Sequence, residues 1–192
     1  AEKDYQMASG ISEDVESSDK VWILSRARLP WLLIGLVGGI LGAQVIEMYE
    51  NDIKIYPEMA FFIPLIAAMG GNAGIQSSAI IVQGLANKTL GMESLFSKLM
   101  KEFGVAMING LICSILILGY NMFFSDSMAL SLTVSISLLA VIVFATIFGT
   151  LVPLLLDKRN IDAALATGPF ITTVNDVLGL FLYFMIGRLM YV

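Results

Sequence analysis

A single acid occupies a position where acids are costly. Asp176 is the only charged residue in the 25-residue run from Ala163 to Gly187, which at about 1.5 Å rise per residue is long enough to cross a bilayer as a helix. Counted along that run, Asp176 falls near the middle, roughly 20 Å from Ala163. A carboxylate at the centre of a membrane costs about 2.5–3.5 kcal/mol on insertion scales. It persists there only if it faces water, a counter-charge or a bound cation. The apolar runs contain no Lys, Arg or His to pair with it, which leaves a mobile cation. On a helical period Gly168, Thr172, Asp176, Gly179 and Tyr183 share one stripe, with Pro169 and Thr173 beside it and Asn175 offset by about 100°. Small residues, hydroxyls and one acid along a stripe read as a pore wall. The competing reading is a protonated or hydrogen-bonded Asp176 that only packs.

A second polar constellation, MGGNAGIQSS from Met69 to Ser78, lies near the centre of another apolar run. Gly70, Gly71 and Gly74 weaken a helix by about 1 kcal/mol each relative to alanine. Two uses justify that cost. Gly70 and Gly74, one turn apart, allow another helix to approach closely. Glycines also leave backbone carbonyls uncovered, so that they can line a water-filled path. The polar side chains of Asn72, Gln76, Ser77 and Ser78 exceed what close packing alone would need. On a later run Thr146, Gly149, Thr150 and Pro153 read as determinants of helix shape.

These residues must be carried by elements that span a membrane. With 57% hydrophobic and 14% charged residues, segregated into long runs, the chain is too apolar for a water-soluble domain. Five runs qualify as spanning helices: Leu29 to Ile46, Met59 to Ala86, Phe103 to Ser125, Ser127 to Leu156, and the run that holds Asp176. The fold class is therefore an all-α membrane protein with five transmembrane helices, the third and fourth forming a tight hairpin around Asp126. Residues 1–25 read as a polar connecting segment and 26–192 as the membrane domain. The first residues are neither a signal peptide nor headed by Met, which suggests a fragment whose upstream part was removed. No internal repeat points to an inverted-repeat transporter.

Charge placement sets the topology. Lys3, Lys20, Arg26, Arg28, Lys88, Lys98, Lys101, Lys158 and Arg159 fall on one side, against Lys54 and Arg188 on the other. The positive-inside rule then predicts a cytoplasmic N-terminus and an external C-terminus. An external loop with Glu47, Glu50, Asp52 and Glu58 either concentrates cations at a pore mouth or is simply a solvated acidic loop. A net charge of −5 without a basic stripe excludes nucleic acid as a partner. Without histidine, and with Cys113 as the only cysteine, His/Cys zinc, haem and iron–sulfur chemistry are excluded. Any ion must be held by oxygen, which favours Mg²⁺, Ca²⁺ or Mn²⁺. One carboxylate is a thin set for dehydrated Ca²⁺, whereas Mg²⁺ keeps its waters and needs one or two carboxylates. Two chains about a symmetry axis would supply two.

Several of these segments, in order, resemble the transmembrane domain of the MgtE magnesium channels. They are RLPWLL at Arg28 to Leu33, MGGNAGIQSS with QGLA at Gln83 to Ala86, GTLVPLLL at Gly149 to Leu156, and GPFITTVNDVLG at Gly168 to Gly179. The resemblance runs from about Arg26 to the end of the chain. It implies a homodimer with a pore on the two-fold axis, lined by the second and fifth helices, and Mg²⁺ as the transported ion. Asp176 would hold hydrated Mg²⁺ at mid-pore, assisted by the carbonyls of Gly71 and Gly74 and by Thr172. Asn72, Ser78, Gly168, Thr173 and Asn175 would line the pore, with Asp162 at its inner mouth. It also implies a cytosolic regulatory domain upstream, with residues 1–25 as the tail of a plug helix, in a multi-pass protein of the cell membrane. The chain departs from the pattern at Gln83, where many members have arginine, and at Asp162, Ala163, Ala164, where many read Asp-Pro-Ala. Gly168 and Ser78 fall where some members place asparagine. Related eukaryotic carriers share the same segments, so Na⁺- or H⁺-coupled transport is the alternative. Two other classes are weighed. An intramembrane aspartyl protease would need two carboxylates sharing a proton, and the spans of one chain hold one, so the chain is not read as an enzyme. A non-conducting assembly subunit would not need Asp176 at all.

Overall fold

A computed structural model describes residues 10–12, 15–87, 95–163 and 168–191. The described residues contain helices and no strand. They are α1 (Val21–Met48), the short α2 (Glu50–Ile55), a 3₁₀ turn (Pro57–Phe62), α3 (Ile63–Ala86), α4 (Leu95–Phe124), α5 (Met128–Lys158) and α6 (Pro169–Tyr191). Five segments are long and apolar enough to cross a membrane: α1, the 3₁₀ turn with α3, α4, α5 and α6. The first approach residues, Lys88 and Ala164 lie outside the described residues.

Helix ends follow backbone chemistry more than hydropathy. Helices α1 and α4 begin eight residues before their apolar runs, because Arg26, Arg28, Lys98 and Lys101 continue the helix out of the apolar zone. Pro64 stands in the first turn of α3, where its missing N–H is no loss, so the three glycines lie inside unbroken helix. Ser127 caps α5 by accepting the Leu130 N–H at 3.2 Å. Gly168 has φ +55 and precedes a proline, so α6 starts only at Pro169. Asp176 is therefore two turns, roughly 10 Å, from the start of its helix. The helix is not continuous from Ala163, roughly 20 Å away by the run's length, because it breaks at Gly168.

Three helices, α3, α5 and α6, pack pairwise around a common centre, with α4 laid on α5 and α1 laid on α6. Val141 of α5 is fully buried there, against Gly70 of α3 and Gly179 of α6. Between α3 and α5 the contact is glycine on glycine. A Cβ on Gly149 of α5 would overlap the carbonyl oxygen of Gly74 on α3. Four residues on, Pro153 has no N–H to offer the Gly149 carbonyl, and Thr150 donates its hydroxyl back to the Thr146 carbonyl at 2.9 Å. At the other end of the bundle, the buried Tyr183 hydroxyl donates to the Met59 carbonyl at 2.9 Å and fastens α6 to the 3₁₀ turn. Arg188 pairs with Asp52 at 2.7 Å and lies over the Tyr49 ring. Tyr56 and Tyr191 stack at 4.0 Å.

The glycine contact gives a direct test. Gly149→Ala should lower stability by about 1–3 kcal/mol through overpacking, read as a lower melting temperature in detergent. Gly35→Ala, on an α1 face with nothing within 4 Å, should be neutral or slightly stabilising, since alanine is the better helix former.

Candidate ion site

Asp176 opens onto a cleft of about 330 Å³ between α1, α3 and α6. One wall is the α1 glycine stripe Gly35, Gly38, Gly39 and Gly42; Ala67 of α3 closes it, and Thr173 and Leu180 flank the acid on α6. The Thr173 methyl fills the notch at Gly38, where a Cβ would overlap it. On the α3 side the fit is tighter still. A Cβ at Gly71 would come within 3.2 Å of Asp176 Oδ1 and 3.0 Å of Thr172 Cγ2. Glycine at position 71 is thus what allows the carboxylate to lie against the α3 backbone. Among the described residues Asp176 has no ion pair, and no three His, Cys, Asp or Glu side chains converge to hold a metal. One chain offers one carboxylate, backbone carbonyls and hydroxyls.

The residues expected at the site divide between two faces. Asp176 and Thr173 line the cleft, while Gly71 and Thr172 meet the acid on its α3 side. Thr172 donates its hydroxyl to the Gly168 carbonyl at 3.0 Å and turns its methyl toward Gly71, which leaves its oxygen lone pairs for an incoming donor. Gly168 holds a left-handed backbone; asparagine is among the few other residues that tolerate it, so a glycine and an asparagine serve this corner alike. Gly74 and Asn175 meet elsewhere. The Asn175 side chain is buried against Gly74, 1% exposed and without a hydrogen-bond partner for either polar atom. The Gly74 carbonyl lies against Gly149. Ser78 is fully buried, whereas Asn72 is exposed on α3. Asp162 is far along the chain's path, exposed beside Asp157 and Asn160 in a separate cleft of about 520 Å³ with Val82, Leu85 and Ala86 at the end of α3.

The α1 glycines were not assigned a role from sequence. Their spacing was the available signal: positions 35, 38, 39 and 42 fall on one helical stripe, which only the docking of α1 on α6 turns toward the acid. Residues 10–12 are also placed beside this end. The Ser12 hydroxyl and amide both donate to the Ala27 carbonyl, at 2.8 and 2.9 Å. Gly10, with φ +82, packs between Pro169 and Trp31.

The described residues thus form a multi-pass helical membrane bundle with one acid set against glycine backbone inside a spanning helix. The comparisons make this specific. The family model MgtE, described as a divalent cation transporter, matches residues 63–186. The chain is 32% identical over 187 residues to the Magnesium transporter MgtE of Bacillus subtilis, covering 97% of this chain and 42% of that protein. It is 31% identical over 164 residues to the one from Thermus thermophilus, covering 85% and 36%. With the Enterococcus faecalis protein of the same name it shares 31% identity over 189 residues, covering 98% and 42%. The chain belongs to the MgtE family, and spans about two-fifths of the length of these relatives.

Gly71→Ala should leave the fold intact but displace the carboxylate by a few tenths of an ångström, since its new methyl would stand 3.2 Å from Oδ1. The expected result is a several-fold loss of divalent-cation affinity, about 1 kcal/mol, measured by titration calorimetry of the purified protein with an unchanged melting temperature.

Proposed function

We propose that this protein is a pore domain that passes Mg²⁺ across the membrane with its water shell largely kept, and that it works as a homodimer. The observation that carries this reading is the unpaired Asp176 carboxylate, open to a cleft within the spanning region and pressed against the Gly71 backbone. A carboxylate there without a counter-ion is strongly disfavoured, and a divalent cation supplies the missing charge. Two chains related by a two-fold axis would place two Asp176 carboxylates around one ion and match its charge.

Each residue then has a task. Asp176 holds the ion through its waters, and the Gly71 carbonyl and Thr172 hydroxyl accept hydrogen bonds from that shell. Mg²⁺ loses water reluctantly, so ligands that bind the hydrated ion spare the cost of stripping it. Asp162 and Asp157, at the other cleft, gather cations at the inner mouth. Gly74 and Asn175 act through the approach of α3 to α5 and α6. The basic end of the bundle, with Arg26, Arg28, Lys98, Lys101, Lys158 and Arg159, faces the cytoplasm, and an inward-negative potential then contributes about 4.6 kcal/mol per 100 mV to entry of a divalent ion. A cytosolic Mg²⁺-sensing domain would reach the ion path through residues 10–12, which lie against Pro169 at the start of α6.

Flux into proteoliposomes tests the reading. Asp176→Asn keeps the shape and drops the charge; it should reduce Mg²⁺ uptake by at least about tenfold, more than ~1.4 kcal/mol, while the oligomer persists on size exclusion. Uptake should be indifferent to an opposing Na⁺ or H⁺ gradient. Wild-type uptake by the Asn variant would remove the site assignment, and dependence on the gradient would replace a channel with a coupled carrier.

A further inference from the structure

At the end of the bundle away from Lys158 and Arg159, a second cleft of about 480 Å³ lies between the 3₁₀ turn and the α4–α5 hairpin. Its walls are aromatic: Phe61, Phe62, Tyr120 and Phe124, with the Tyr120 and Phe124 rings 4.7 Å apart and tilted by 30°. Two carboxylates, Glu58 and Asp126, line the same cleft, and neither has an ion pair among the described residues. At its base lies Asn121, 1% exposed, whose side-chain N–H₂ has no acceptor. Ser125 accepts the Ser127 N–H at 3.2 Å, which leaves its own O–H to donate.

These groups ask for a ligand with two charges of opposite sign. Aromatic faces and carboxylates together select an organic ammonium. A hydrated divalent ion would use the two acids but gain little from rings that it cannot approach without losing water. The buried amide N–H₂ and the serine hydroxyl are donors, and they require an acceptor such as a phosphate or ester oxygen. The cleft stands where two apolar spans turn at Ser125 to Ser127, the depth at which aromatic side chains meet lipid headgroups. We propose that it binds the headgroup of an aminophospholipid. The ammonium lies between Glu58 and Asp126 over the Tyr120–Phe124 wall, and the phosphate lies at Asn121 and Ser125.

The proposal does not depend on what the protein transports, and its test reads lipid, not ion. The full chain is reconstituted in bilayers of equal parts phosphatidylethanolamine and phosphatidylglycerol, gently solubilised, and its retained lipids are counted by native mass spectrometry. Phosphatidylethanolamine should be retained over phosphatidylglycerol by at least about threefold. The preference should fall to parity in Glu58→Gln/Asp126→Asn, and be reduced in Asp126→Asn alone, a change at an exposed side chain that the fold tolerates. Asn121→Leu should weaken retention without lowering the melting temperature, because the buried side-chain N–H₂ has no acceptor within the protein to lose. Equal retention of both lipids by the wild type, or an unchanged preference in the double variant, would overturn the proposal.

Discussion

The structure depends on helices approaching to backbone contact at glycine. Gly149 meets the Gly74 carbonyl, Gly71 meets the Asp176 carboxylate, and Gly38 receives the Thr173 methyl. In lipid, where apolar side chains gain nothing by leaving their solvent, such close contact and the dispersion it allows hold helices together. The same contacts determine which polar groups lie near one another. The acid lies against the α3 backbone at Gly71 on one side and opens onto the cleft on the other. A larger residue at Gly149 would push two helix backbones apart, whereas at Gly71 it would meet only the side chains of Thr172 and Asp176.

Close packing of α3, α5 and α6 also explains the division of polar residues between two faces. On one face Asp176 and Thr173 look toward α1, which touches only α6 extensively and leaves Gly35 and Gly39 without neighbours within 4 Å. On the other, Asn175 is desolvated against Gly74 with no partner, an arrangement that costs about 1–3 kcal/mol. Adjacent positions on one helix therefore have opposite fates.

The bundle's two ends are built differently. At the Arg188 end, side chains lock the elements: the Tyr183 hydroxyl on the Met59 carbonyl, Arg188 on Asp52, and stacked tyrosines. At the end that carries Lys158 and Arg159, Gly10 packs on Pro169, and Asp157, Asn160 and Asp162 line a cleft with the end of α3.

Much of this was legible in the residues themselves. Five uncharged runs determine five spanning helices, because lipid accepts no unpaired backbone and few charges. Asp176 stands out as the lone carboxylate in its run, and the segment from Met69 to Ser78 stands out by its three glycines and polar side chains. The stripe rule places Thr172 on the same face. What the residues could not decide is which glycine serves the acid and which serves packing, because Gly70, Gly71 and Gly74 are equivalent in one helix until neighbours are docked around it. Nor could they show that Asn175 turns inward, or that the α1 glycines form the opposite wall. Helical periodicity gives an angle about one axis, whereas a site is a relation between axes. That relation is set by long-range packing, and only the tertiary structure contains it.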